Sequence, residues 1–129
     1  MRQPRLLVID DEPALADFVA QVAGDCGFVP ILTSDDMGFR EAVRSERPDV
    51  VALDLGMPGM DGVELLRFLA EEGSMAPVLI ISGFDRRVLE SAFRLGEALG
   101  LTMIGPLEKP VRFQELERVL VGVRSSFAQ

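Results

Sequence analysis

The sequence predicts an open α/β fold in which five parallel strands alternate with five helices. Three observations predict it. Short apolar runs alternate with segments of helical periodicity along the chain. The apolar runs lack the polar–apolar alternation of a strand with one solvated face, so they are typical of strands covered on both faces. The chain has 129 residues, 48% of them hydrophobic, which is enough for one domain with its own core.

The five predicted strands are the continuous apolar runs. They span residues 6–9, 29–32, 50–53, 78–81 and 101–104. Pro30 lies inside the second run and has no amide hydrogen to donate, so it favours an edge position for that strand. Parallel strands joined by helices require right-handed crossovers, and ligands of such sheets bind beyond the carboxyl ends of the strands.

Five helical segments follow these strands. They span residues 13–26, 35–46, 61–72 and 86–99, with a last helix that begins after Pro110 and fades near Arg124. Pro13 suits a first helical turn, and Gly27 ends the first helix. We expect one domain over residues 1–124 and a short tail over residues 125–129.

Composition excludes several classes of function. The 13 lysines and arginines stand against 21 acidic residues, and this net charge of −8 works against direct contact with nucleic acid. The absence of histidine excludes a Ser-His-Asp triad and histidine metal ligands. The chain opens onto only four apolar residues, too few for a signal peptide or a membrane span. With one cysteine, Cys26, the expectation is a cytoplasmic protein without membrane association.

Chemically active side chains follow four of the five predicted strands. They are Asp10 and Asp11 after the first strand, Asp54 after the third, Ser82 after the fourth and Lys109 a short loop beyond the fifth. Neighbouring carboxylates repel one another unless a cation is present, and their hard oxygens suit Mg²⁺. A carboxylate not used as a ligand can attack phosphorus while metal, lysine and hydroxyl neutralise the developing charge. The set predicts a magnesium-dependent aspartyl-phosphate site.

Each of these residues also has an ordinary structural explanation. Acids at residues 10–12 favour a helix N-terminus, Asp54 is a common turn residue, and the Ser82 hydroxyl can bond to the backbone. Lys109 is the one lysine among 13 basic residues, so the chain otherwise uses arginine as its cation. A compact ammonium is not interchangeable with the planar guanidinium. The coincidence of all these residues on one edge favours a functional site.

Four motifs in this order resemble bacterial response-regulator receiver domains. They are LVIDDEP at residues 7–13, DLGMPGMDG at 54–62, ISG at 81–83 and EKP at 108–110. The resemblance covers residues 4–124. It implies a flavodoxin-like, doubly wound (βα)5 sheet of strand order 2-1-3-4-5, in which the first and third strands are neighbours. Asp10, Asp11 and Asp54 would then share one crevice.

The resemblance also implies the residue roles. Asp11 would bind Mg²⁺ directly and Asp10 directly or through water, together with Asp54 and the backbone carbonyl of Gly56. Asp54 would accept a phosphoryl group from a phosphohistidine on a sensor histidine kinase or a phosphotransfer protein.

Two further side chains would act on that phosphoryl group. Ser82 would donate a hydrogen bond to one of its oxygens, and Lys109 would pair with another. The family commonly has a cis peptide bond at the position of Lys109 and Pro110.

One departure from the family concerns signalling. Pro106 lies three residues before Lys109, where the family often has a tyrosine or phenylalanine that changes rotamer with the serine or threonine. A pyrrolidine ring cannot move in that way. We therefore hypothesise that the signal passes through the loop after Ser82, where Gly83 and Phe84 offer a hinge and a ring, and then through helix four.

The resemblance implies a signalling acceptor rather than a turnover enzyme. It would control a downstream protein target or a fused output domain, and a homodimer would use helix four, strand five and the last helix. Two alternatives remain open. A haloacid-dehalogenase-type phosphatase also uses Asp, Mg²⁺, Ser or Thr and Lys, but its D-x-D-x-T motif follows the first strand. A receiver-like interaction domain that takes no phosphate is the other, and Asp54, Ser82 and Lys109 argue against it.

Overall fold

A computed structural model describes residues 3–57 and 59–127, and within them five strands form one parallel sheet of order β2-β1-β3-β4-β5. This confirms the predicted fold class and strand order. Residues 1–2 of the predicted domain, Pro58 of the second motif and the last two residues of the predicted tail lie outside the described residues.

The strands agree with the apolar runs except at the fifth. They are β1 (Arg5–Ile9), β2 (Val29–Thr33), β3 (Val50–Asp54), β4 (Val78–Ser82) and β5 (Met103–Glu108). β2 lies at one edge of the sheet, as Pro30 predicts, because an edge strand leaves half of its backbone groups without a ladder partner. β3 and β4 lie inside the sheet and are buried along their whole length.

The helices follow the predicted segments closely. They are α1 (Pro13–Asp25), α2 (Asp36–Glu46), α3 (Gly62–Glu71), α4 (Arg86–Ala98) and α5 (Phe113–Ser125). α1 starts with Pro13 in its first turn, and Gly27 just beyond its end has a φ of 93°, which glycine adopts readily. No helix among the described residues is long and apolar enough to cross a membrane.

The core has one apolar cluster on each face of the sheet in the described part of the chain. Alternate residues of β1 serve the two faces: Leu7 and Ile9 pack with α2, α3 and α4, whereas Leu6 and Val8 pack with α1 and α5. Fully burying one such side chain stabilises the fold by about 1.5–3 kcal/mol. The sheet is thereby fixed between two helical layers, and its carboxyl edge stays open for a site.

The fifth strand was predicted wrongly. The expected run at residues 101–104 stops at Gly105 and Pro106, two residues that usually break strands, but β5 runs from Met103 to Glu108. Leu79 pairs with Ile104 and Ile81 with Leu107, so β5 carries one extra residue as a bulge. An edge strand with a bulge tolerates both breakers.

The extension of β5 changes the surroundings of the lysine. Lys109 directly follows the strand instead of lying a short loop beyond it, and its amide donates to the carbonyl of Ser82 at 2.9 Å. The peptide bond between Lys109 and Pro110 is cis, as the family resemblance implied, and so is the bond between Gly105 and Pro106.

The bulge leads to a prediction about Gly105. Its φ is 85°, and a Cβ there would lie 2.7 Å from Leu79 Cδ1. Gly100 has a similar φ of 88°, but a Cβ added there would meet nothing within 4 Å, so it is the matched control. The left-handed backbone lowers the stability of both alanine variants by about 1–2 kcal/mol. Overpacking adds about 1–3 kcal/mol for Gly105→Ala alone.

Urea denaturation checks this difference. Equal losses of unfolding free energy for Gly105→Ala and Gly100→Ala would show that the space beside Leu79 is not limiting.

Candidate functional site

The carboxyl ends of four strands bring the predicted residues together. Asp10 directly follows β1, Asp54 ends β3, Ser82 ends β4, and Lys109 directly follows β5. Because β1 pairs with β3, β3 with β4 and β4 with β5, these ends meet at one edge of the sheet. In the described part of the chain, Asp10, Asp54 and Ser82 are the buried residues with polar or charged side chains. All the buried polar or charged side chains of the described residues therefore lie at this edge.

Four carboxylates form a compact cluster there. Asp10, Asp11, Glu12 and Asp54 each offer an oxygen, and these oxygens all lie within 4.8 Å of one another. Asp10 and Asp54 are buried, whereas Asp11 and Glu12 are exposed. Three of the four, Asp10, Asp11 and Asp54, are predicted from the sequence as site residues, whereas Glu12 enters that prediction only as part of a motif and a helix start. The signal that was available is its position next to two acids at a strand end.

Three buried side chains hold their loops in the same way. Asp10 Oδ1 accepts from Glu12 N at 2.9 Å, Asp54 Oδ1 from Gly56 N at 2.9 Å and Ser82 Oγ from Phe84 N at 3.0 Å. Each bond reaches two residues along the chain, the pattern of an Asx or ST turn. The turn explanation of Asp54 and the backbone-bond explanation of Ser82 are therefore correct, and they are compatible with a functional role because these bonds fix the side chains at the edge. The helix-start explanation of the acids at residues 10–12 is wrong in one respect, since Glu12 makes no side-chain cap to α1 and Asp10 forms a turn instead.

Burial and charge act on Asp10 together. Burial raises the pKa of Asp10 from 3.8 to about 6, the bond from Glu12 N opposes this, and the charge of Asp54 reinforces it. A carboxyl held in this way ionises reluctantly unless positive charge is added.

The donor set fits a hard divalent cation. Carboxylate oxygens of Asp10, Asp11 and Asp54 are the ligands that Mg²⁺ prefers, and a dication offsets their mutual repulsion. Gly56 lies against the same group, since its amide bonds to Asp54. An acidic cluster of this composition is typical of the magnesium site of receiver domains.

Lys109 is the cation of the site. Its Nζ donates to Asp54 Oδ2 at 3.0 Å and to Glu12 Oε1 at 2.6 Å. Burial acts to lower the pKa of Lys109, but the hydrogen bonds to Glu12 and Asp54 outweigh it and raise the pKa above its ordinary value. The side chain therefore stays an ammonium at neutral pH.

The start of helix four is tied to the strand that precedes the lysine. Arg86 Nη1 donates to Glu108 Oε1 at 2.8 Å and also pairs with Glu90 within its own helix. Phe84, in the loop between β4 and α4, is 47% exposed, and Pro106 lies in β5. Phe84 N donates to Ser82 Oγ, and α4 begins two residues later. The loop after Ser82 is therefore connected both to the site and to α4.

Comparison with known proteins decides the family. The family model described as "Response regulator receiver domain" matches residues 6–121. The chain belongs to the response-regulator receiver family. Receiver domains are signalling phosphoacceptors of two-component systems rather than turnover enzymes, which rules against the phosphatase alternative.

Relatives include longer regulators. The DNA-binding response regulator MtrA of Mycolicibacterium smegmatis is 39% identical over 85 residues, which cover 66% of this chain and 37% of that protein. The positive alginate biosynthesis regulatory protein of Pseudomonas aeruginosa is 30% identical over 118 residues, covering 89% of this chain and 45% of that protein. The chain thus spans less than half the length of these relatives.

Solved receiver structures share the fold. A response regulator from Colwellia psychrerythraea superposes with a TM-score of 0.83 at 30% identity, covering 96% of this chain and 98% of that one. The beryllofluoride-activated NtrC receiver domain superposes with a TM-score of 0.72 at 24% identity over the full length of both chains, a likeness of fold.

The shifted ionisation of Asp10 predicts how stability depends on pH. Its folded pKa of about 6 lies above the ordinary 3.8, so ionising Asp10 is harder in the folded state than in the unfolded state. The resulting loss of stability is absent below about pH 4, grows between about pH 4 and 6, and is complete above that range. Asp10→Asn keeps an oxygen for Glu12 N and removes the charge. We expect it to raise the unfolding free energy by about 1–3 kcal/mol near pH 7.5 without divalent cations.

Urea denaturation in a chelating buffer across this pH range measures the gain. The gain in unfolding free energy should vanish at about pH 4. The exposed control Asp11→Asn should gain less unfolding free energy than Asp10→Asn. A variant Asp10→Asn that is no more stable than the natural protein at neutral pH would contradict the assignment.

Proposed function

We propose that Asp54 accepts a phosphoryl group from a phosphohistidine of a sensor histidine kinase or a phosphotransfer protein. The observation that carries this is the contact of Lys109 Nζ with Asp54 Oδ2 at 3.0 Å, at the buried end of β3 beside the buried Asp10 that follows β1. A buried carboxylate flanked by a fixed cation and a cation-binding cluster is arranged for phosphoryl transfer.

The transfer exchanges one bond to phosphorus for another. A carboxylate oxygen of Asp54 forms a bond to phosphorus, and the bond from phosphorus to the donor nitrogen breaks, with its electron pair remaining on the donor imidazole. The product is an acyl phosphate. Asp54 Oδ1 is held by Gly56 N and Oδ2 by Lys109, so the carboxylate is oriented before the donor arrives.

Asp10, Asp11 and Asp54 would hold Mg²⁺, with the carbonyl of Gly56 as a further ligand. When bound, the ion neutralises charge on the phosphoryl oxygens. Because burial raises the pKa of Asp10 to about 6, protons would compete with the ion for this ligand in acidic solution, and binding of the ion would strengthen as the pH rises. Asp11 contributes an exposed carboxylate on the solvent side of the cluster.

Ser82 and Lys109 would contact the new phosphoryl group. The Ser82 hydroxyl already accepts from Phe84 N and keeps its own proton to donate. Lys109 carries three N–H donors on Nζ, so it can follow the charge from the carboxylate to a phosphoryl oxygen. Movement of Ser82 towards that oxygen would pull on Phe84 and the loop ahead of α4.

The signal would then reach α4 and β5. Arg86 links the first turn of α4 to Glu108 at the end of β5, next to Lys109. Pro106 replaces the aromatic residue of the family's switch, so this loop and ion pair are the route that the chain offers. A homodimer or a target protein would bind at α4, β5 and α5.

The receiver domain would span residues 1–124, followed by the tail at residues 125–129. The relatives that are named as DNA-binding regulators are longer, since the matched segment covers only 37% of MtrA. Contact with nucleic acid would therefore belong to a fused output domain, and otherwise a separate protein is the target. With a net charge of −8, the receiver domain itself would not contact nucleic acid. The proposed location is the cytoplasm, where sensor kinases present their phosphohistidine.

Phosphorylation can be tested with a small donor. We expect incubation with acetyl phosphate and Mg²⁺ to add one phosphoryl group, seen by intact mass, because Asp54 is oriented without a partner protein. Asp54→Asn keeps the shape and the Gly56 contact but lacks the nucleophile, and it should gain nothing. A chelator should also abolish the gain.

Two results would contradict the proposal. No gain of mass in the natural protein would favour the interaction domain that takes no phosphate. Continuous release of many phosphates per chain would favour a phosphatase.

The signalling route is tested by amide NMR. On activation with beryllofluoride, we expect shifts at Gly83, Phe84 and the first turn of α4 as well as at the acidic cluster. Ser82→Ala removes the hydroxyl that joins the two and should confine the shifts to the cluster. Shifts confined to the cluster in the natural protein would exclude the route.

A further inference from the structure

Lys109 lies between a buried and an exposed carboxylate. The Asp54 side chain is 1% exposed, that of Lys109 20% and that of Glu12 60%. Nζ is 3.0 Å from Asp54 Oδ2 and 2.6 Å from Glu12 Oε1. Glu12 therefore accepts one N–H of the Lys109 ammonium on the solvent side of the pair that Lys109 forms with Asp54. Glu12 precedes Pro13 at the start of α1, and its carboxylate makes no capping bond to that helix.

We propose that Glu12 is a positioning residue that holds Lys109 as an exchangeable counter-ion and thereby slows the entry of a small anionic phosphodonor to Asp54. The inference rests on the proposed function, because it assumes that Asp54 is the phosphoacceptor. It concerns a residue outside the predicted set of site residues.

The geometry requires an exchange of partners. A phosphoryl group enters the edge of the sheet from solvent, since Asp54 is otherwise enclosed by the core. Its oxygens compete for the same ammonium that Glu12 contacts on that side. Asp54 holds Lys109 from the buried side, so Lys109 stays near the reacting carboxylate while Glu12 leaves. Exposed ion pairs are weak, which makes the exchange easy.

The charge of Glu12 acts in the same direction. A carboxylate beside the entrance repels an anionic donor, and this repulsion is screened by salt because the group is exposed. Removal of the charge and the contact together should speed phosphorylation by about two- to fivefold, the factor that an exposed ion pair supplies. The acceleration should shrink at high salt.

The rate of phosphorylation by acetyl phosphate is the first test. Glu12→Gln should react about two- to fivefold faster than the natural protein at low salt and approach its rate at about 1 M salt, where screening extends over only ~3 Å. Glu41→Gln changes the net charge equally at an exposed position of α2, and its rate should stay unchanged. Glu12→Asp keeps the charge but shortens the reach, so it should show part of the acceleration if contact with Lys109 matters.

The second test observes the contact between Glu12 and Lys109, first without any donor or metal and then with a mimic of the phosphoryl group. Lys109 is the one lysine of the sequence, so isotope-labelled lysine gives a single side-chain NMR signal. That signal should shift in Glu12→Gln and stay in place in Glu41→Gln. Beryllofluoride with Mg²⁺ should reduce the difference between Glu12→Gln and the natural protein, because the phosphoryl mimic replaces Glu12 as the partner.

The outcomes separate this inference from the proposed function. If the natural protein gains a phosphoryl group but Glu12→Gln reacts at the same rate or more slowly, Glu12 does not hold back the donor. A Glu12→Asp rate equal to that of the natural protein, or a lysine signal unmoved in Glu12→Gln, also overturns the inference. If the natural protein gains no phosphoryl group, the proposed function fails first.

Discussion

The parallel pairing of β1 and β3 places Asp10 and Asp54 side by side at the carboxyl edge of the sheet, and much of the site follows from it. Both carboxylates are buried. Two buried negative charges at short range repel each other. Backbone amides and the ammonium of Lys109 offset part of this repulsion, and the cluster of carboxylate oxygens is suited to a dication that would offset more of it. The same requirement for positive charge that limits stability favours a dication at this edge, as is typical of the magnesium site of receiver domains.

The rigidity of the site comes from short-range bonds at the strand ends. Asp10, Asp54 and Ser82 each accept from an amide two residues further along the chain. Each strand end is thereby coupled to the first turn of its own loop. A side chain that moved at the edge would pull on the backbone of its loop, and this is the route that we propose for a phosphorylation signal.

The edge of the sheet formed by β5 has a bulge and an ion pair to α4 that together shape the surroundings of Lys109. A bulge at Gly105 and Pro106 lets β5 extend to Glu108, where Arg86 from α4 contacts it. The strand end that positions Lys109 is therefore the same one that holds the start of α4. Because Pro106 lies within this strand in place of a rotating ring, the route that we propose for the signal runs through the loop after Ser82 and the helix beside it.

Local patterns in the sequence determined the helices, most strand bounds, the edge position of β2 and the identity of the residues at the carboxyl edge. Buried parallel strands are continuous apolar runs, and the residue after each run necessarily lies at that edge. Tertiary structure alone decided the extent of β5 and the contact between Glu12 and Lys109, which are 97 residues apart. Strand breakers are tolerated or not according to the neighbouring strand, and an ion pair across an edge depends on how far two side chains reach. Neither property is encoded in the residues next to it.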